Sequence, residues 1–151
     1  MKNVIYLLLL FSTCIYAQKK RVNLSKSTVG TISAEYTKSI DLEKNDTLYY
    51  VYCGFQNKKY SSISDIKSIF ITKDEDLKSL IKDLKTAVNE MGVDKVNINW
   101  TRENYELVLY DFSNELYILE KPKKGSGYTT LSKKQVEEFI FWLEKIDFGK
   151  G

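Results

Sequence analysis

Two stretches of the chain carry a helical period, and each follows a series of β-rich runs. Leu77, Leu80, Ile81, Leu84, Val88 and Met91 recur at intervals of three and four residues, as do Val136, Phe139, Ile140, Leu143 and Ile146. That spacing puts each set on one stripe of a helix, and a one-striped helix must bury the stripe against something else. Thr72 with Glu75, and Ser132 with Gln135, stand ahead of the two runs as capping-box pairs. Gly92 and Gly149 follow them, where a left-handed residue closes a helix.

The remaining segments read as strands. Ile32, Ala34 and Tyr36 alternate with polar residues, and Glu43-Lys44-Asn45-Asp46 supplies a turn before TLYYVYCGF. IKSIFI at 66–71 precedes the first helix. VNINW at 96–100, two runs at 105–112 and 115–121, and GYTTL at 127–131 precede the second. Two striped helices against hairpin-connected strands predict an α+β, two-layer sandwich: a mostly antiparallel sheet of six or seven strands with both helices on one face. The order of strands then helix occurs twice, so an internal duplication with halves at about 47–92 and 104–148 is expected. With Val51, Cys53 and Phe55 on the core side of their strand, Tyr50 and Tyr52 point to the opposite face.

GFQNKKY at 54–60 and DFSNELY at 111–117 share the pattern Phe-x-Asn-x-x-Tyr. Read as two-residue hairpin turns at Asn57-Lys58 and Asn114-Glu115, they set Phe55 opposite Tyr60 and Phe112 opposite Tyr117. Asn tolerates the positive φ of such turns, and each aromatic pair would add about 0.2–1 kcal/mol. Phe112 is therefore expected to be buried. Longer loops at the same places keep the same aromatic pairing.

The first 17 residues, MKNVIYLLLLFSTCIYA, read as a signal peptide: one Lys, an apolar run too short to span a bilayer, and a small-residue break with cleavage after Ala17. Two alternatives keep a membrane tether, an uncleaved anchor or a lipid on Cys14, although Thr13 is larger than the residue that lipidation prefers before its cysteine. Residues 18–27 are polar and basic without periodicity and are expected to be a flexible leader, with a single α+β domain at 28–148. Loss of Lys2 leaves 22 of the 23 basic residues against 20 acidic ones. So small an excess does not call for nucleic acid. Cys53 is then the one remaining cysteine, which excludes an intrachain disulfide and leaves stability to packing.

The chain has no histidine, which removes the commonest general base and zinc ligand. Cys53 reads as a buried, inert thiol. Asp74, Glu75 and Asp76 fall in the first turn of a helix, where its dipole favours them without catalysis. Asp111, Glu137 and Glu138 are scattered. No phosphate loop, calcium loop, metal motif or cofactor signature is present in the sequence. Basic residues cluster at Lys19-Lys20-Arg21, at Lys121, Lys123 and Lys124, and at Lys133-Lys134. The last two groups would make a positive rim if they meet beside the open sheet face. Phe141 points away from the buried stripe of its helix among charged residues, with Trp142 at the stripe's edge, and the two form a candidate anchor for a partner.

The reading that follows is an exported, non-catalytic binding domain, periplasmic or extracellular, with Tyr50, Tyr52, Phe141, Trp142, Lys121, Lys123 and Lys124 as its interaction surface. Its partner is a protein or an envelope glycan. The alternatives are an inhibitor or immunity-like protein acting through its hairpin turns and, behind it, a carboxylate-dependent hydrolase. Asp46-Thr47-Leu48 also resembles an O-glycosylation acceptor at an accessible turn.

Overall fold

The computed structural model describes residues 19–59, 65–93, 96–102, 106–120 and 127–148. The elements run β1 (Lys19–Val29), β2 (Ile32–Asp41), β3 (Asp46–Gln56), β4 (Ile66–Ile71), α1 (Asp74–Glu90), β5 (Asn97–Thr101), β6 (Glu106–Phe112), β7 (Glu115–Glu120), β8 (Gly127–Ser132) and α2 (Lys133–Leu143). The class is α+β, with two four-stranded antiparallel sheets in place of one sheet of six or seven strands, ordered β1-β2-β3-β4 and β5-β6-β7-β8. The four-strand units start at Lys19 and Asn97, well before the expected half-repeat boundaries at 47 and 104. Among the described residues no helix is long and apolar enough to cross a membrane.

The segment expected to be a flexible leader is a strand. β1 pairs with β2 from Lys19 opposite Asp41 to Val29 opposite Ile32, with a register shift between Asn23 and Ser25. Its side chains are almost all exposed. It therefore shows no apolar period, and what orders it is the row of backbone donors and acceptors that β2 offers. The turn into β3 is the expected one. Asp41 and Asp46 pair across it, the Asp41 carboxylate accepts from the amides of Glu43 and Lys44 at 3.2 Å, and Asn45 takes a positive φ of 49°.

The two Phe-x-Asn-x-x-Tyr segments fold differently. At the second, Ser113 and Asn114 both take positive φ, 55° and 61°, and Phe112 pairs with Glu115. The turn therefore lies one residue earlier than expected, in a primed geometry that matches the twist of the strands. Tyr117 lies opposite Tyr110, and Phe112 meets it only diagonally, ring edge to face at 6.1 Å. Phe112 is 62% exposed, so the expectation of a buried pair is corrected. At the first segment there is no tight hairpin. β3 and β4 last pair at Gln56 and Ile66, and Phe55 stands opposite Lys67; Tyr60 lies outside the described residues.

Asn57 is fully buried and joins the two sheets. Its amide donates to Asp65 Oδ2 at 2.8 Å, and its oxygen accepts from the backbone N–H groups of Lys59 at 3.1 Å and Tyr128 at 3.2 Å. Lys58 N–H donates to the Tyr128 carbonyl at 3.0 Å, and the Lys58 ammonium donates to Thr130 Oγ1. The Thr31 and Thr129 hydroxyls meet nearby. β8 of the second unit is thus fastened to the end of β3 in the first.

One hydrophobic core takes residues from both sheets and both helices. Val51, Cys53, Ile71, Leu77, Leu84, Trp100, Leu109, Leu131, Val136 and Leu143 all belong to it. The helices pack on each other; α1 also lies against β4, β5 and β6, and α2 against β1, β7 and β8. Tyr36 of β2 fixes the segment that follows α2, donating its hydroxyl to the Asp147 carbonyl at 2.7 Å and meeting Phe148 ring edge to face. α2 opens with the expected capping box of Ser132 and Gln135. α1 does not: its N-cap is Lys73, in extended conformation and without a side-chain cap, so the Thr72 and Glu75 pair fails by one residue of register. Gly92 takes the left-handed φ of 78° expected after α1. α2 ends sooner than expected, at Leu143 with Glu144 as its C-cap, so Ile146 lies beyond the helix and Gly149, outside the described residues, is not the residue that closes it.

Candidate functional site

Strand alternation decides which aromatic rings face away from the core. On β3, Val51, Cys53 and Phe55 point inward, so Tyr50, Tyr52 and Gly54 face out. Across the ladder Tyr52 stands opposite Phe70 and Gly54 opposite Ser68. Phe70, 45% exposed, lies 5.9 Å from the Tyr50 ring and 5.1 Å from the Tyr52 ring, tilted against both. The face is tyrosine-bearing as expected, and Phe70 completes it. Phe70 could have been found from the alternation of IKSIFI, in which Ile69 and Ile71 take the buried positions.

Beside Tyr52 the outer face opens into a groove of about 400 Å³, bounded by Thr31, Ser33, Tyr52, Gly54, Gln56 and Ile66. That volume lies within the range of roughly 300–1,000 Å³ usual for small-molecule sites. The Tyr52 ring lies over Gly54. A Cβ at position 54 would stand 2.6 Å from the Tyr52 hydroxyl oxygen and 3.0 Å from two ring carbons, so only glycine permits this placement. Gly54 sits in the interior of an inner strand, a position where glycine costs about 0.5–1 kcal/mol relative to alanine.

The second sheet carries a longer aromatic row that the sequence reading missed. Leu107, Leu109, Leu116 and Ile118 point into the core, which turns Tyr110, Phe112 and Tyr117 outward. Tyr110 and Tyr117 stack at 4.8 Å with 22° between planes, and Tyr128 continues the stack at 5.7 Å and 27°. Burial, then the neighbouring Tyr117 and Tyr128 phenols, raise the Tyr110 hydroxyl above its ordinary pKa. The alternation of ELVLYDF contained this face; assigning Phe112 to a buried pair concealed it.

Phe141 is 61% exposed, as its helical angle predicts, and the Lys145 ammonium sits 3.7 Å from its ring centroid. Trp142 does not share that surface. It is half-buried, packs on the core and lies parallel to Phe139 at 6.4 Å. Phe141 therefore stands apart from Trp142, and it lies on the helix layer, away from the outer sheet faces that carry Tyr50 and Tyr52. Lys121, Lys123 and Lys124 lie outside the described residues, so the positive rim has no structural account.

The carboxylates singled out in the sequence are distributed among separate partners. Asp74 pairs with Lys78 at 2.5 Å, and Asp76 with Arg102 at 2.5 Å, where the guanidinium also covers the Trp100 ring at 4.6 Å. Asp111 Oδ2 accepts from the Gly92 amide at 2.9 Å. Glu137 and Glu138 are exposed on α2, with Glu138 at 4.0 Å from Lys134. Among the described residues no three His, Cys, Asp or Glu side chains gather as a metal ion would require. Burial pushes the Cys53 thiol up to about 12, far from the thiolate that nucleophilic chemistry needs. The hydrogen bond from Asn57, assisted by Lys67, holds the Asp65 carboxyl below its ordinary pKa. No protein-family model matches the chain, and neither a curated protein nor a solved structure is detectably similar to it.

Proposed function

We propose that this chain is an exported, non-catalytic binding domain that meets its partner, a protein or an envelope glycan, through the outer faces of its sheets. Residues 1–17 serve as the export signal in this reading. The observation that carries it is the pair of aromatic rows turned away from the core: Tyr50, Tyr52 and Phe70 on one sheet, and Tyr110, Tyr117 and Tyr128 on the other. Aromatic side chains offer large contact area at low conformational entropy, which is why they dominate binding surfaces. The repeated order of four strands then a helix supports descent from a duplicated unit, each copy contributing one aromatic face.

The test is affinity capture from the envelope and culture fluid of the source cell, with bound protein identified by mass spectrometry and bound glycan by sugar analysis. One partner should be retained stoichiometrically and released by Tyr52→Ala with Phe70→Ala at an unchanged melting temperature. An empty column, or capture undiminished by both substitutions, would overturn the reading. A second reading, an inhibitor acting through a hairpin tip, is favoured by one observation: the Ser113–Asn114 turn carries Phe112, 62% exposed, beside it. Under that reading Phe112→Ala, and not Tyr52→Ala, abolishes capture.

A further inference from the structure

We infer that the groove beside Tyr52 is a subsite for an uncharged glycosyl unit, an inference that rests on the binding-domain reading and narrows its ligand. Three observations converge on it. First, none of the described residues that line the groove is charged, in a chain that is 28% charged overall. The groove instead offers the hydroxyls of Ser33 and Tyr52 and the amide of Gln56, beside a Thr31 hydroxyl already bonded to Thr129. Glu35, which stands opposite Tyr52 on β2, is already ion-paired with Lys26 at 3.1 Å. An anion would find no counter-charge among these residues, and a wholly apolar ligand would leave their polar groups unpaired on desolvation.

Second, the Tyr52 side chain reaches along its strand into the space above Gly54, where any Cβ would meet its hydroxyl and two ring carbons, and the Phe70 ring stands beside it at 5.1 Å, tilted by 55°. An aromatic ring held at the wall of a groove offers the apolar surface on which the C–H face of a pyranose stacks. Third, Ile66 extends this apolar surface at the rim, 65% exposed. A sugar presents the same mixture, one apolar face edged by uncharged hydroxyls. Gly54 gains a reason under this inference: the strand accepts the cost of a glycine so that the Tyr52 ring can occupy the space above it.

The experiment uses the full chain, produced with its leader so that the cell carries out any processing. It is applied to an array that holds neutral hexose and N-acetylhexosamine oligosaccharides beside uronate- and sulfate-bearing ones. Binding to neutral features is expected. It should weaken by about tenfold or more in Tyr52→Ala, in keeping with the loss of a tyrosine anchor, and less in Tyr52→Phe, which keeps the ring and loses the hydroxyl. Gly54→Ala is the separating variant. It removes no polar group and suits a strand at least as well as glycine, so it should leave the melting temperature level or higher while displacing the ring and weakening binding. A Tyr52 that served only to cover Gly54 would leave binding untouched in both variants, and the inference would fall. Binding confined to anionic features would overturn it equally. A silent array with a protein retained on the affinity column removes the glycosyl subsite and leaves the binding domain standing; silence in both removes both.

Discussion

Asn57 has no solvent-exposed surface, yet every polar atom of its side chain is used: the amide on Asp65, the oxygen on the amides of Lys59 and Tyr128. Replacing it by alanine strands the Tyr128 N–H and removes the hydrogen bond to Asp65, so Asn57→Ala should cost about 1–3 kcal/mol, chiefly from the buried N–H left without a partner. Urea denaturation checks this, and an unchanged midpoint would show that the joint between the sheets is not held there. A turn asparagine and a buried asparagine look the same in sequence, because the partners of an amide come from residues such as Tyr128 that are distant along the chain. Tyr50 and Tyr52 were legible for the opposite reason: their direction follows from alternation within one strand. Cys53 was legible in the same way, and its chemistry can be tested. A thiol reagent should label it at pH 8 only as the chain unfolds. Its thiol is held at about 12 against an ordinary 9.0, so the folded chain keeps a proton that the unfolded chain releases. That contribution to stability is whole below pH 9 and is lost as pH rises toward 12. A Cys53→Ala variant should lose stability less steeply over that interval.

At the scale of elements, the two helices differ in how they begin. Ser132 and Gln135 close both halves of a capping box, whereas Lys73 at the start of α1 caps nothing. Ser132→Ala is therefore expected to cost about 1 kcal/mol, and Lys73→Ser to add about as much, since position 73 already has the extended backbone of an N-cap. Shifts of the urea midpoint in opposite directions at constant slope would establish both. The apolar period placed both helices, but it carried α2 past its end at Leu143 to Ile146, and it could not choose between Thr72 and Lys73. A cap depends on the φ and ψ of one residue, and the approach from β4 sets those angles. The same limit explains β1. Its exposed side chains carry no pattern, and it is ordered mainly by pairing with β2, with Val29 at its end in the core and α2 against it. Its neighbour β2 was legible because one side of it is buried.

The whole molecule is bound together by a core that both sheets and both helices share. The two four-strand units should therefore unfold as one. Trp100 and Trp142 lie in the second unit and Cys53 in the first, so tryptophan fluorescence and thiol accessibility report on different halves. Coincident urea transitions are expected; two separated transitions would show that the units are independent and that the shared core adds little. By itself the sequence determined the α+β class, the two buried helix stripes, the capped start of α2, the left-handed Gly92 and the outward direction of Tyr50 and Tyr52. All of these depend on periodicity or on the conformational range of single residues, which are local properties of the chain. The tertiary structure alone decided the rest. It divided eight strands into two sheets, used Asn57 to join β3 to β8, set Phe70 against Tyr52, stacked Tyr110, Tyr117 and Tyr128, and separated Trp142 from Phe141. Each of these depends on which distant segments meet and in what register, and a one-residue change of register moves a side chain from one face of a sheet to the other.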